Sequence, residues 1–300
     1  MKKIALWAMC IAVMVLSGCR KAPEWKAEHV FVIGLDGWGA YSVEKADMPN
    51  VKALMDAGCY TLKKRSVLPS SSAVNWASMF MGAGPELHGY TEWGSRTPEL
   101  PSRVLNEHGI FPTVFSELRK AAPDAEMGVL YEWDGIKYLG DTLALNHHAQ
   151  APDYNTHPTA LCDMACEYIM QKKPVLSAFC FDNPDHVGHG DGHDTPAYYA
   201  KLKELDGYVG RIVDAIKEAG IYENSIIIVT ADHGGINKGH GGKTMEEMET
   251  PFIIAGKNIK KGGAFEESMM QFDCASTIAS VFNLEQPQVW IGRPMTQVFE

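Results

Sequence analysis

Aspartate and histidine recur in three short stretches of this chain: Asp36-Gly37, Asp182 to His193, and Asp232 to Gly242. Of the eleven histidines, five (His186, His189, His193, His233 and His240) fall in the last two stretches. Carboxylate and imidazole together are the donor set that zinc and similar divalent ions prefer. Asp185 and His189 stand four apart, so a single helical turn would aim both at one ion. Asp232 and His233 are adjacent, beside glycines that let the backbone bend, and His240, between Gly239 and Gly241, could return to the same crevice. Any one of these pairs reads equally well as a helix cap or turn. As a set they suggest two metal ions.

A nucleophile candidate lies in Ser70-Ser71-Ser72, just before a helical stretch that starts at Ala73. The plain reading is a loop with one N-cap. A helix amino terminus is also an anion site, where N–H groups and the dipole favour a phosphate. A serine oxygen held there against a metal would lose its proton more easily and face the anion to be attacked.

The rest of the sequence has to position these loops. Apolar runs of strand length alternate with amphipathic runs of helix length. Strands are predicted at Val30–Leu35, Met127–Tyr131, Pro174–Phe181, Ser225–Thr230 and Pro251–Ala255, and Lys63 to Arg65 lie in a further apparent strand. Helices are predicted at Val51–Ala57, Ala73–Met81, Thr113–Ala121, Thr159–Lys172, Ala197–Ala219 and Phe272–Phe282. This alternation implies one α/β domain, a mainly parallel sheet with helices on both faces, over 29–300, with irregular loops at 83–112 and 132–157. Three predicted strands end in the aspartate loops, which is where open α/β sheets form their ligand crevice.

Lysine plus arginine number 27 against 37 aspartate plus glutamate, a net charge of -10 with no basic stripe, so nucleic-acid binding is not expected. The amino terminus is positive at Lys2-Lys3, then apolar from Ile4 to Leu16, too short to span a bilayer, and ends in Ser17-Gly18-Cys19. It resembles a bacterial lipoprotein signal. That resemblance implies cleavage after residue 18, a lipid on Cys19, a tether over 19–28, and a place on a membrane surface in the cell envelope, periplasmic or outward-facing. The remaining cysteines form no Cys-x-x-Cys and read as core residues.

The ordered motifs resemble the alkaline phosphatase superfamily and, within it, the nucleotide pyrophosphatase/phosphodiesterase branch. They are Asp36-Gly37, Pro69-Ser70-Ser71-Ser72-Ala73-Val74-Asn75, Gly82-Ala83-Gly84-Pro85-Glu86-Leu87-His88-Gly89, Pro184-Asp185 with Gly188-His189, Asp232-His233-Gly234 and Gly239-His240-Gly241. The resemblance implies an alkaline phosphatase-like fold with one ion, of zinc type, on Asp185, His189 and His240. A second is implied on Asp36, Asp232 and His233, with Ser72 as metal-bound nucleophile and Asn75 as phosphate donor. His88 is expected to be structural, and His186 and His193 to be solvated or to support the ligands. A tyrosine that often precedes the Pro-Asp motif in nucleotide-cleaving members is replaced here by Cys180-Phe181.

The implied substrate is a small phosphate ester. Three aspartates, two divalent ions and a serine alkoxide come close to neutral, whereas the carboxylates alone would repel an anion. A phosphodiesterase is expected, with a phosphomonoesterase or sulfatase as rivals on the same scaffold and a ligand-binding surface lipoprotein as the non-enzyme alternative. Trp76 reads first as a core residue and alternatively could wall the second ester group of a diester, and Lys243 could swing toward a phosphate oxygen and favour monoesters.

Overall fold

The computed structural model describes residues 24–300. The signal segment, Cys19 and the start of the expected tether lie outside the described residues. The rest of the tether is part of the domain: Trp25 packs edge-on against Phe282 with ring centroids 5.0 Å apart. Ala27 is buried, and the Lys26 N–H donates to the Val281 carbonyl (2.8 Å).

The sheet strands are β1 His29–Leu35, β2 Cys59–Arg65, β3 Met127–Tyr131, β4 His147–Gln150, β5 Leu176–Phe181, β6 Ser225–Thr230, β7 Glu249–Gly256 and β8 Gly263–Ala264. Their spatial order is β4-β3-β5-β1-β6-β7-β2-β8. From β4 to β6 every pairing is parallel, whereas β7 runs against both β6 and β2. The helices are α1 Pro49–Ala57, α2 Ser72–Met81, α3 Pro85–His88, α4 Val114–Ala121, α5 Ala160–Lys172, α6 Asp185–Asp191, α7 Pro196–Glu218, α8 Met245–Met248 and α9 Asp273–Val281.

β1, β3, β5 and β6 are buried along their whole length, as strands covered on both faces must be. Side chains alternate between two cores. Val30, Val32, Ile226 and Ile228 face α2, α4 and α9, whereas Phe31, Ile33, Ile227 and Val229 face α1, α5 and α7. Each such buried aliphatic contributes about 1.5–3 kcal/mol of apolar burial. Among the described residues no helix is long and apolar enough to cross a membrane.

Strand β5 starts at Leu176 instead of Pro174, where the Val175 N–H turns aside to the Glu126 carbonyl (2.7 Å). The region expected to be a loop at 132–157 contains β4, an edge strand. Three of its four residues are exposed, so it carries no hydrophobic alternation to announce it.

Candidate active site

Three neighbouring parallel strands deliver the acids. Asp36 follows β1, Asp182 to Asp185 follow β5, and Asp232 follows β6, all at the carboxyl edge of the sheet. The loops are stitched together there. The Asp36 N–H donates to the Phe181 carbonyl (3.0 Å), the Asp185 N–H to the Asp36 carbonyl (3.0 Å), and the Gly37 N–H to Asp232 Oδ1 (3.1 Å). Gly37 has φ +70, and a Cβ on it would meet the Asp185 Cβ at 2.6 Å, so only glycine fits this crossing.

One oxygen of each deep carboxylate is satisfied and one is not. Asp36 Oδ2 accepts from Trp76 Nε1 (3.1 Å), and Asp232 Oδ1 accepts from the N–H groups of Gly37 and His233. Asp36 Oδ1 and Asp232 Oδ2 are buried without a hydrogen-bond partner. Both face His233 Nε2, at 3.4 and 3.3 Å, and Ser72 Oγ is 3.2 Å from the same nitrogen. A second group gathers Asp185, His189 and His240. His189 Nε2 is 3.1 Å from Asp185 Oδ2, and His240 Nε2 is 3.1 Å from His189 Nε2. α6 supplies the single turn that sets Asp185 above His189.

The histidine tautomers follow from their partners. The Nδ1 of His233, His240 and His189 lies 2.7, 3.1 and 3.0 Å from the backbone carbonyls of Gly234, Ser70 and Lys238. A carbonyl can only accept, so each Nδ1 carries the proton and each Nε2 turns a lone pair into the site. Burial pushes Asp36 well up from its ordinary value, with the charges of Asp232 and Asp185 adding to the effect, and raises Asp232 to about 7. Asp185 is also buried, but the His189 and His193 imidazoles packed beside it hold it far below the usual carboxylate range. Crowded acids with orphaned oxygens, facing imidazole lone pairs, are a donor set that fits a divalent cation. Asp185, His189 and His240 converge closely enough to hold one ion, and Asp36, Asp185 and His233 form a second such group. Asp185 thus belongs to both.

The three serines have separate roles. Ser70 Oγ donates to the Gly242 carbonyl (2.7 Å) and accepts from the Gly241 N–H (3.2 Å), bracing the loop that carries His240. Ser71 Oγ is buried without a partner. Ser72 opens α2 beside His233.

The role expected for Asn75 does not match its surroundings, and of the two readings of Trp76 the structure shows the core one. Asn75, read as a phosphate donor, is fully buried. Its Nδ2 donates to the carbonyls of Val67, Pro69 and Ser71 (3.2, 3.1 and 3.0 Å), and its Oδ1 accepts from the Val67 N–H (2.7 Å). It holds the serine loop and has no donor left for a substrate. Trp76, read as a possible wall for a diester group, is buried in the core with its indole N–H on Asp36. Lys243 is exposed.

His193 takes the supporting one of its two expected roles, and Lys64 was missed. His193, expected to be solvated or supporting, has a fully buried ring with Nε2 3.3 Å from Asp185 Oδ1. A Cβ on Gly188 or Gly235 would meet that ring at 2.4 or 2.2 Å, so the two glycines make its slot. Lys64 is buried under β6 and donates to the Ala231 carbonyl (2.7 Å) and to Gln271 Oε1. Burial lowers it to about 8. His88 is structural, between Ser78 Oγ (3.0 Å) and the Tyr90 N–H (3.1 Å), and His186 is exposed against Tyr154.

The profile of the type I phosphodiesterase / nucleotide pyrophosphatase family matches residues 30–275. The chain belongs to that family. Among curated proteins similar to this chain is the 2,3-bisphosphoglycerate-independent phosphoglycerate mutase of Natronomonas pharaonis, 25% identical over 194 residues. That match takes in 61% of this chain and 37% of the mutase, and the curated relatives it resembles are in general more than twice the length matched. Murine ectonucleotide pyrophosphatase/phosphodiesterase 5 in complex with AMP superposes with a TM-score of 0.70 at 15% identity, covering 90% of this chain and 98% of the murine one. The phosphonate monoester hydrolase of Silicibacter pomeroyi gives 0.70 at 16% identity, covering 90% and 76%. The family's fold is therefore the alkaline phosphatase-like one expected.

Beside the candidate site, Tyr154 Oη donates to Asp182 Oδ2 (2.6 Å), and the Asp182 N–H donates to Glu132 Oε2 (2.8 Å). Burial pushes Glu132 up to about 8, against that hydrogen bond and helped by the Asp182 charge. The folded chain thus keeps a proton that the unfolded chain releases above about pH 4. The stability this confers is present at low pH and declines as pH rises toward 8, by at most about 1.4 kcal/mol per pH unit. Glu132→Gln keeps the acceptor and removes the titration. Its unfolding free energy relative to the parent should therefore rise between about pH 5 and pH 8 in urea titrations. A difference that stays constant across that range would reject the assignment.

Proposed function

We propose that this protein hydrolyses phosphodiesters by way of a phosphoserine on Ser72, with two divalent ions of zinc type. The observation that carries the reading is the meeting of Ser72 Oγ with His233 Nε2 and the orphaned oxygens of Asp36 and Asp232 at the start of α2. Asp185, His189 and His240 would hold one ion; Asp36, Asp232, His233 and Ser72 would hold the other. When bound, the ions supply Lewis acidity to the serine hydroxyl and to the leaving oxygen.

The chain's own residues do the rest. Ser72 Oγ forms a bond to phosphorus, the bond to the leaving alcohol breaks, and that alcohol departs with the proton lost by the serine. Water then cleaves the phosphoserine, freeing the hydroxyl and a phosphomonoester. The amino terminus of α2 favours the anion through its dipole, and the Ser71 hydroxyl is a donor with no other engagement. Asn75 keeps the loop in register, Ser70 keeps His240 in place, and Trp76 fixes the rotation of Asp36.

Diesters are favoured over monoesters on charge. A monoester carries nearly two charges, and an efficient monoesterase adds cationic groups beyond its metals. Here the Lys64 ammonium is buried and engaged by the Ala231 carbonyl and Gln271, the Asn75 amide is committed, and Glu92 is part of the cavity wall. With metal-loaded enzyme, kcat/KM for bis-p-nitrophenyl phosphate should exceed that for p-nitrophenyl phosphate by about tenfold or more, with p-nitrophenyl sulfate slower still. A higher value for the monoester, lost in Lys243→Ala, would make the protein a phosphomonoesterase instead.

A further inference from the structure

The Ser72 end of α2 opens onto a cavity of 620 Å³ whose wall includes Pro69, Ser71, Glu92, Trp93, His189 and His240. Trp93 has 67% of its surface exposed, the most of any tryptophan among the exposed large apolar residues described. Leaving an indole in water forgoes its burial, so its position calls for a cause.

The loop that presents it is firmly built. Glu99 accepts from the Thr91 N–H (2.8 Å), from Thr91 Oγ1 (3.1 Å) and from Ser95 Oγ (2.7 Å). Ser95 Oγ in turn accepts from the Glu92 N–H (3.0 Å). Burial pushes the Glu99 carboxyl up, but these bonds together outweigh it and hold the carboxyl below its ordinary value. The Trp93 carbonyl then takes the Ala73 N–H (3.0 Å), the residue directly after Ser72. The backbone that carries the indole is thereby tied to the start of α2, next to Ser72.

On the Asp182 side of the site the Tyr154 hydroxyl is tied to Asp182 Oδ2 and its ring packs edge-on against His186. Phe181, before the Asp182 loop, is buried in the core under the sheet. No lysine or arginine is among the residues lining the cavity, and Glu92 would repel any further anionic group on the substrate.

We propose that Trp93 is the stacking platform for one ester group of the substrate, and that the preferred diester therefore carries a planar aromatic substituent without further negative charge. This rests on the phosphodiesterase reading and names its substrate class. A planar ring on the indole gains both area and favourable quadrupole geometry, which a small alkyl group cannot match.

Calorimetric titration of the zinc-loaded protein with phenylphosphonate and with methylphosphonate tests the platform independently of turnover. Trp93→Ala should weaken phenylphosphonate about tenfold and methylphosphonate by less than about twofold, and Trp93→Tyr should recover most of the difference. Equal losses for the two ligands, or no preference for the phenyl compound in the parent, would overturn the platform. If the parent also hydrolyses diesters, the phosphodiesterase reading survives that failure. If phenylphosphonate binding depends on Trp93 but no ester is turned over, the platform stands and the hydrolase reading falls.

Discussion

Ser72→Ala is expected to lower turnover of bis-p-nitrophenyl phosphate by at least about three orders of magnitude while the protein stays folded. Removing a nucleophile abolishes the covalent route altogether, whereas removing a residue that only orients leaves part of it. The serine lies at the first turn of α2 and its hydroxyl has one recorded contact, with His233, so its loss leaves neither a large void nor a chain of broken bonds. The neighbouring serines supply the contrast. Ser70→Ala should act through the His240 loop, whose Gly241 N–H and Gly242 carbonyl it binds, and should weaken metal retention as well as rate. Rapid acid quench with a labelled diester should trap phosphate on a peptide containing Ser72. Full activity in Ser72→Ala, or label on Ser70 that survives in that variant, would remove the assignment.

Chelation is expected to cost the protein both its activity and roughly 10 °C of thermal stability. A ligand present at about a thousand times its dissociation constant stabilises by about 4 kcal/mol, and a chain of this size moves by about 2–4 °C per kcal/mol. The physical source is visible in the two buried oxygens of Asp36 and Asp232 that nothing in the chain satisfies. Zinc added back should restore both properties and elemental analysis should approach two equivalents. His240→Ala and Asp232→Asn should each retain about one, because they belong to different groups. Asp185→Asn should lose more than either, since its carboxylate lies within reach of both. Unchanged stability after chelation, with no metal in the parent, would exclude the metal mechanism.

The central fold was legible because its strands are covered on both faces and so read as continuous apolar runs, as in Val30 to Leu35 and Ser225 to Thr230. Edge strands escape that logic, and β4, with exposed His147 and His148, carries no such run. The acids were legible by type and by their place after strands. What residue type cannot reveal is where a side chain points. Asn75 is the right residue near the right serine, yet its amide is turned into its own loop. Trp76 is one residue further along the same helix and faces the core. His193 lies eight residues from Asp185, a spacing that no single helical turn relates, and the only hint of its slot was glycine at 188 and 235. Lys64 hid on an inward position of β2, where a bulge between Thr61 and Lys64 breaks the alternation that would have marked it.

The bond from the Gly37 N–H to Asp232 Oδ1 joins residues 195 apart in the chain. Asp36 is therefore among the first parts of the domain to be synthesised, and the carboxylate that faces it across the site comes only after β6. Contacts so distant in sequence form late, after local helices and after the strands between them have found their places. No early segment of the chain contains both halves of a binding group, since Asp36 must wait for His233 and Asp185 for His240. Capture of an ion at either group would thus wait for the loops that follow β6. A chain interrupted before β6 would hold an ion only loosely, and one extended past His240 would carry both donor sets.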